Sequence, residues 1–302
     1  MNRFHLTGTA AIGALFLSAS AFAADVAQPV TGPQWDAYVA AGGGYTSFEN
    51  SISFPDGDDG FAGVPILGND MDGFAGDVRS SAAYQLTNGF GIQGDVVFNY
   101  QDMNVNSSGD FSTESTDVAE HIFYRNDNML VGVFGQIGGT EYGSLATDID
   151  RFYAGNEAQA FWGAFTLYGR AGWQMQDWAD FDDADIDGFF ISAEARYFAT
   201  DNLKLSLKGG YDTLDWDGLF DIDTIHAGGS GEYRFVGSPF STFLSLDVSK
   251  SEVEITDFEQ SEVRVLAGIK LNLGTDTLIQ RDRAGASLDP VKPLAFGYIS
   301  PR

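Results

Sequence analysis

The sequence contains no cysteine, which excludes a disulfide framework and any zinc or iron–sulfur centre held by thiolates. Proline is scarce, at 8 of 302 residues, and Lys plus Arg number 16 against 43 Asp plus Glu, a formal net charge of −27. A chain so poor in cations lacks the basic surface that phosphate backbones require, so nucleic acid is excluded as a partner. Beyond the first 23 residues only His121 and His226 remain as histidines. Neither has an evident nucleophile or acid partner in sequence, and no Gly-x-Ser-x-Gly elbow or phosphate-cradling glycine loop is present. The chain therefore reads as a non-enzyme. After residue 23 no apolar run approaches the roughly 18 residues of a membrane-spanning helix.

The start of the chain has the form of an export signal. Arg3 supplies a short basic region, Ala10 to Ser20 an apolar core, and Ala21-Phe22-Ala23 a small-x-small cleavage pattern. Residues 1–23 are expected to be removed, leaving 24–34 as a short N-terminal segment.

The dominant signal in the rest is a period of two. Phe90, Ile92, Val96, Phe98 and Tyr100 share one face of a strand, and Gln93, Asp95, Asn99 and Gln101 share the other. Leu203, Leu205, Leu207 and Tyr211 oppose Lys204, Ser206, Lys208 and Asp212. Val263, Val265, Ala267, Ile269 and Leu271 oppose Glu262, Arg264, Lys270 and Asn272. A helix cannot sort residues in this way, whereas a strand with one apolar and one polar face does. The same reading gives about twelve strands between residues 35 and 273. Two of them, near 116–125 and 150–161, are irregular, because Glu120 and Asn156 fall among apolar neighbours, as at a bulge.

Connections alternate in length. Short turns such as Thr87-Asn88-Gly89 and Thr200-Asp201-Asn202 interleave with longer loops at 49–72, 102–115, 138–149, 176–187, 214–221 and 250–261. This is an up-and-down order with every long loop at one end and both termini at the other. Strands of about ten residues match the apolar thickness of a membrane. Nearly every polar face carries charge, which the interior of a soluble barrel would bury at heavy cost. The expected fold is all-β: an antiparallel, up-and-down transmembrane β-barrel.

The export signal, the alternating strands, the loop pattern and the glycine-rich first strand (Ala40-Ala41-Gly42-Gly43-Gly44-Tyr45) resemble the outer-membrane β-barrel, porin-like family of Gram-negative bacteria. The resemblance covers residues 35–273 and implies an outer-membrane location, contact with lipid and lipopolysaccharide, and passive diffusion of small polar solutes or ions. Barrels of this family commonly finish on a strand with a terminal aromatic residue. Here the last strand ends at Leu273, and a proline-punctuated tail, 274–302, follows. The expected tail is a disordered extension, with a periplasmic or lumenal location as its alternatives.

The long loops hold Lys250 as their single cation among many acids, whereas most other Lys and Arg residues lie in strands. The expected pore lining comprises Arg79, Asp95, Arg170, Glu194, Arg196, Lys204, Lys208, Glu232, Arg234, Glu262, Arg264 and Lys270. Asp77-x-Arg79, Glu194-x-Arg196, Glu232-x-Arg234 and Glu262-x-Arg264 repeat one spacing, and residues two apart on a strand point the same way, so each reads as an acid–base pair. A salt-bridged, filled lumen is the alternative to a conducting one, and with it a structural or surface-binding barrel whose acidic loops carry the function. Asp183, Asp185 and Asp187, with Glu194, match the spacing of a calcium-binding loop. Phe189 to Tyr197 alternate as a strand, which removes Glu194 from the cluster and leaves a weak Ca²⁺ candidate at the loop aspartates alone. No other cofactor is expected.

Overall fold

The computed structural model describes residues 34–52, 70–105, 109–142, 147–178, 186–216, 220–253 and 258–292. Residues 1–33, on which the expected export signal falls, Asp183, Asp185 and the last ten residues lie outside them.

Among the described residues, twelve strands pair in sequence order and close: β1 (Gln34–Ile52), β2 (Met71–Gln85), β3 (Phe90–Val105), β4 (Gly109–Arg125), β5 (Met129–Tyr142), β6 (Thr147–Trp162), β7 (Phe165–Trp178), β8 (Ile186–Thr200), β9 (Leu203–Trp216), β10 (Phe220–Arg234), β11 (Phe240–Val253) and β12 (Phe258–Leu273). All neighbours are antiparallel, and β1 closes the sheet on β12, pairing Ala37 with Leu273 and Ile52 with Phe258. The expected fold class is thus observed. Closure leaves no unpaired sheet edge, the condition a spanning β-structure must meet in hydrocarbon.

The strands run further than the hydropathy pattern. β4 begins at Gly109 and β3 ends at Val105, so most of the expected 102–115 loop is paired strand. The reason is visible on the outer face. Toward the loop end, outward positions become polar, as with Glu49, Asp72, Asp102, Glu141 and Asp177, yet backbone pairing continues. Alternation by hydropathy fades where the apolar band stops, whereas the hydrogen-bond ladder does not. An acidic collar results. Aromatics at its lower rim bond to it: Trp173 Nε1 donates to Asp187 at 2.8 Å and Tyr211 donates to Asp223 at 2.5 Å. A second girdle near the short turns includes Trp35, Tyr84, Phe90, Phe165 and Phe240. Between the girdles the exposed outer face is built of residues such as Val78, Ile92, Leu207, Leu246 and Ile269, Leu207 being 73% exposed. An apolar belt between aromatic girdles is the surface a bilayer covers.

Glu120 and Asn156 are regular strand residues and not bulges. Glu120 pairs with Gly94 and Gly135, Asn156 with Val133 and Ala171, and both face outward.

The tail differs most from expectation. β12 is followed by Gly274, whose φ of 105° reverses the chain. The segment after it enters the lumen and forms α1 (Leu278–Ala284), with Thr277 as N-cap accepting from the Gln280 N–H. Asp36 on β1 fastens both ends of this turn, accepting from Thr275 N and Oγ1 and from Ala286 N. The helix start is held by Asp201 O in the β8–β9 turn, and Arg283 donates to Gly163 O and Phe165 O. Residues 274–292 are therefore a lumenal element docked on the wall, the lumenal one of the two expected locations, and not the disordered extension expected of a terminus. Prolines forbid continued strand or helix, but they do not prevent an extended chain from docking on a wall.

Replacing Leu246, at mid-height on the outer face of β11, by arginine is expected to destabilise the barrel in lipid vesicles by about 2–4 kcal/mol. Urea unfolding with an unchanged midpoint would show that this face does not meet hydrocarbon.

Candidate functional site: the lumen and its docked tail

Three apolar side chains of the tail sit in three matching patches of the inner wall. Ala286 packs with Tyr38, Ala40 and Ala83. Leu288 is enclosed by Phe123, Leu130, Phe161 and Tyr168, and Val291 by Phe134, Tyr153 and Phe190. Around these anchors, inner-face glutamines grip the tail backbone. Gln93 donates to Leu288 O at 2.7 Å and accepts from Leu288 N at 3.1 Å. Gln136 does the same with Val291 O and N at 2.9 and 2.7 Å, and Gln159 donates to Ser287 O at 3.1 Å. An extended segment away from any sheet edge needs partners for its backbone groups, and amides supply donor and acceptor together.

Charge completes the docking. Asp289 lies between Arg79 at 2.5 Å and Arg196 at 2.6 Å, while Arg170 donates to its carbonyl at 2.6 Å. Arg196 also meets Asp282 at 3.0 Å and Ser287 O at 2.8 Å. Arg281 reaches Glu232 at 2.8 Å and Asn272. Lys270 and Lys204 approach the same Glu232 oxygen at 3.0 and 3.5 Å. Arg125 donates to Gly285 O and to Ser287 Oγ. Burial favours protonation of Asp289, yet Arg79 and Arg196 hold its carboxyl well below the usual carboxylate range.

Every residue expected to line a pore stands on the lumen side, in three situations. Arg79, Asp95, Arg170, Arg196, Glu232 and Lys270 belong to the framework that holds the tail, with Asp95 bonded to Arg79 at 2.7 Å. Arg234 sits at the turn end and donates to Ser238 O. Glu194, Lys204, Lys208, Glu262 and Arg264 border, together with Arg79, Arg170, Glu232 and Lys270, a cavity of about 340 Å³ between Asp289–Lys292 of the tail and the wall from β7 to β12, with Asp77, Asn99 and Asp117 of β2 to β4 across the lumen. It extends from Lys270 near the turn end to Thr224 and Ser251 near the loop end.

Of the four acid-x-base repeats, Glu194 and Arg196 bond to each other, at 2.7 Å. In the other three, both charges share a face without bonding to each other: Arg79 turns to Asp95 and Asp289 and leaves Asp77 Oδ1 without a hydrogen-bond partner, and Glu232 turns to Arg281 while Arg234 turns to Ser238 O. Glu262 accepts from Thr46 and Ser249, and Arg264 donates to Asn99. Cross-strand neighbours stand about 5 Å away and residues two apart on a strand about 7 Å, so lateral partners win.

The histidines have acid partners that the sequence did not reveal. His121 is buried, with Nδ1 2.8 Å from Glu157 and Nε2 3.5 Å from Asp95, and its ring stacks on Phe134. Tyr168 donates to the second Glu157 oxygen at 2.8 Å. His226 Nδ1 lies 3.0 Å from Asp212. These partners come from other strands, so only the barrel register brings them together. No serine or threonine hydroxyl bonds to either ring among the described residues. In the calcium candidate, Asp187 lies on the outer face, bonded to Trp173, and Glu194 lies on the inner face, bonded to Arg196. The two cannot share an ion.

No protein-family model matches the chain, and no curated protein matches it. Solved structures do. The barrel is similar to an outer-membrane channel from Pseudomonas putida F1, with a TM-score of 0.57 at 12% identity over 82% of this chain and 100% of that one. It is also similar to the β domain of the Bordetella autotransporter BrkA, with a TM-score of 0.50 at 9% identity over 80% of this chain and 100% of the other. The fold is that of outer-membrane β-barrels. Within such a barrel, the docked tail and the cavity beside it form the candidate site.

Removing Glu232 leaves Arg281, Lys270 and Lys204 without their common acid, a loss of about 3–5 kcal/mol for a buried pair broken from one side. Glu232→Ala is expected to expose the tail to added protease in the folded barrel, and unchanged protection would refute that role. Because the docked Asp289 has a depressed pKa, its contribution is complete above the free carboxylate value near ~3.9 and is lost as pH falls through the lower docked value. The tail should therefore stay protected at pH 5, and its Asp289 contact should fail only in stronger acid.

Proposed function

We propose that this protein is an outer-membrane channel for small hydrophilic solutes or ions, with a lumen narrowed by its own C-terminal segment. The observation that carries this reading is the cavity beside the tail, bordered by charges of both signs over most of the barrel's height. Side chains alone fill an eight-stranded barrel and leave sixteen strands open; twelve is intermediate, and here the tail takes up part of the space. Paired charges of both signs along the β8–β12 wall suit polar solutes that exchange water for wall contacts, as in other selective pores. The family resemblance and the similarity of fold to an outer-membrane channel support the same reading and the outer-membrane location.

The second reading, a non-conducting structural barrel, is favoured by one observation. The tail binds the inner wall on most sides, from Asp36 on β1 through Gln93, Gln136 and Arg196 to Glu232 on β10. Planar-bilayer recordings separate the two. The intact protein is expected to conduct in small steps, and the chain ended after Gly274 in steps several-fold larger. If neither form conducts after verified insertion, the channel proposal fails and the structural reading stands.

A further inference from the structure

From the outer wall we infer a second binding surface, distinct from the lumen: a self-complementary contact between two copies of this chain, centred on Gly135 of β5. On β9, β11 and β12 the mid-height outer face carries bulky apolar side chains, such as Leu205, Leu207, Leu244, Leu246, Val263 and Ile269. From β2 to β6 the pattern changes. In one register row, Ala82 pairs with Gly94, Gly94 with Glu120, Glu120 with Gly135, and Gly135 with Ala154. A carboxyl group thus stands in a shallow trough of small residues, and a depression beside it is bounded by Tyr84, Ile92, Val96 and Val118. Asn156 faces outward one strand beyond Gly135. Neither the Glu120 nor the Asn156 side chain makes a hydrogen bond within the chain among the described residues.

A carboxyl and an amide facing hydrocarbon without partners are costly, since nothing in a lipid tail replaces the water they lose. Lipid offers no donor at this depth, and the two groups fit each other. Glu120 lies five residues before Arg125 and Asn156 six before Trp162, the last residues of their strands. Both strands end at the short turns, so the two side chains sit at nearly the same height, within about 3 Å. They flank β5, about 11 Å apart by strand spacing.

A two-fold axis along the membrane normal, passing Gly135, places Glu120 of each copy against Asn156 of the other. Two reciprocal hydrogen bonds result, with Gly94, Gly135 and Ala154 letting the walls approach. An isologous contact needs this arrangement, in which one patch matches itself after rotation. Small residues with isolated polar groups are what membrane-embedded interfaces use, because lipid competes well against purely apolar contact.

The absence of native cysteine makes the test direct. Gly135→Cys and, four strands away on β9, Leu207→Cys are refolded into lipid vesicles and oxidised, with barrel folding verified by heat-modifiable gel mobility. Gly135→Cys is expected to give a covalent dimer at least ten-fold faster than Leu207→Cys. The double variant Glu120→Leu/Asn156→Leu, which leaves the barrel apolar outside, is expected to fold and to shift the protein in lipid nanodiscs from dimer to monomer. Equal cross-linking at both positions, a monomeric parent protein, a trimer, or a double variant that stays dimeric would each overturn the proposal. Should Gly135→Cys fail to fold, the nanodisc measurement decides alone.

Discussion

Closing twelve amphipathic strands into one sheet forces every polar face into a single narrow space, and buried charge in that space must be matched. The rest of the structure follows from this constraint. Arg79, Arg196, Lys270 and Glu232 are too far from bulk water to be left alone and too numerous to be matched by their nearest neighbours on the same strand. The tail enters as a second set of charges, Arg281, Asp282 and Asp289, threaded among the first. Its backbone is satisfied by glutamine amides and its apolar side chains by three aromatic-lined patches. Wall and tail are complementary in each of the three ways a docked peptide needs: charge, hydrogen bonding and shape.

The same closure sets the outer face its own requirement, an unbroken apolar belt. β9 to β12 meet it without exception at mid-height, and β4 and β6 depart from it at Glu120 and Asn156. Along the strands the belt ends where outward positions turn acidic, and Trp173 and Tyr211 hydrogen-bond to the first acids above it. The collar therefore marks the boundary between hydrocarbon and water and needs no bound ion to explain it. Acid excess in this chain is a matter of height: the strand tips are acidic, while the lumen carries both signs.

Much of this is legible from alternation alone. Strand number, the direction of each face and the lumenal position of residues such as Lys204 and Glu262 follow from a period of two, because pleat geometry fixes orientation before any tertiary contact is made. Pairing is different. Asp95, His121 and Glu157 lie on three strands, and only register shows that they converge. The acid-x-base repeats predicted partners along the strand, and the cross-strand distance defeated that rule at Glu232 and Glu262. The tail was the hardest to read. Leu288 and Val291 lie among charges and prolines with no period, and the hydrophobic patches that receive them are assembled from β4 to β8. Glu120 and Asn156 were visible as anomalies; their orientation needed the register.

The central claim is that residues 285–292 are docked against the lumen wall, and a thiol at Leu288 reports on it most directly. In the Leu288→Cys protein, folded in lipid vesicles, a bulky water-soluble maleimide should react at least a hundred-fold more slowly than with the same chain unfolded in urea. Labelling of the folded barrel at the unfolded rate would contradict the account, since it would place the tail in solvent and leave Phe123, Leu130 and the wall charges without the partner described for them.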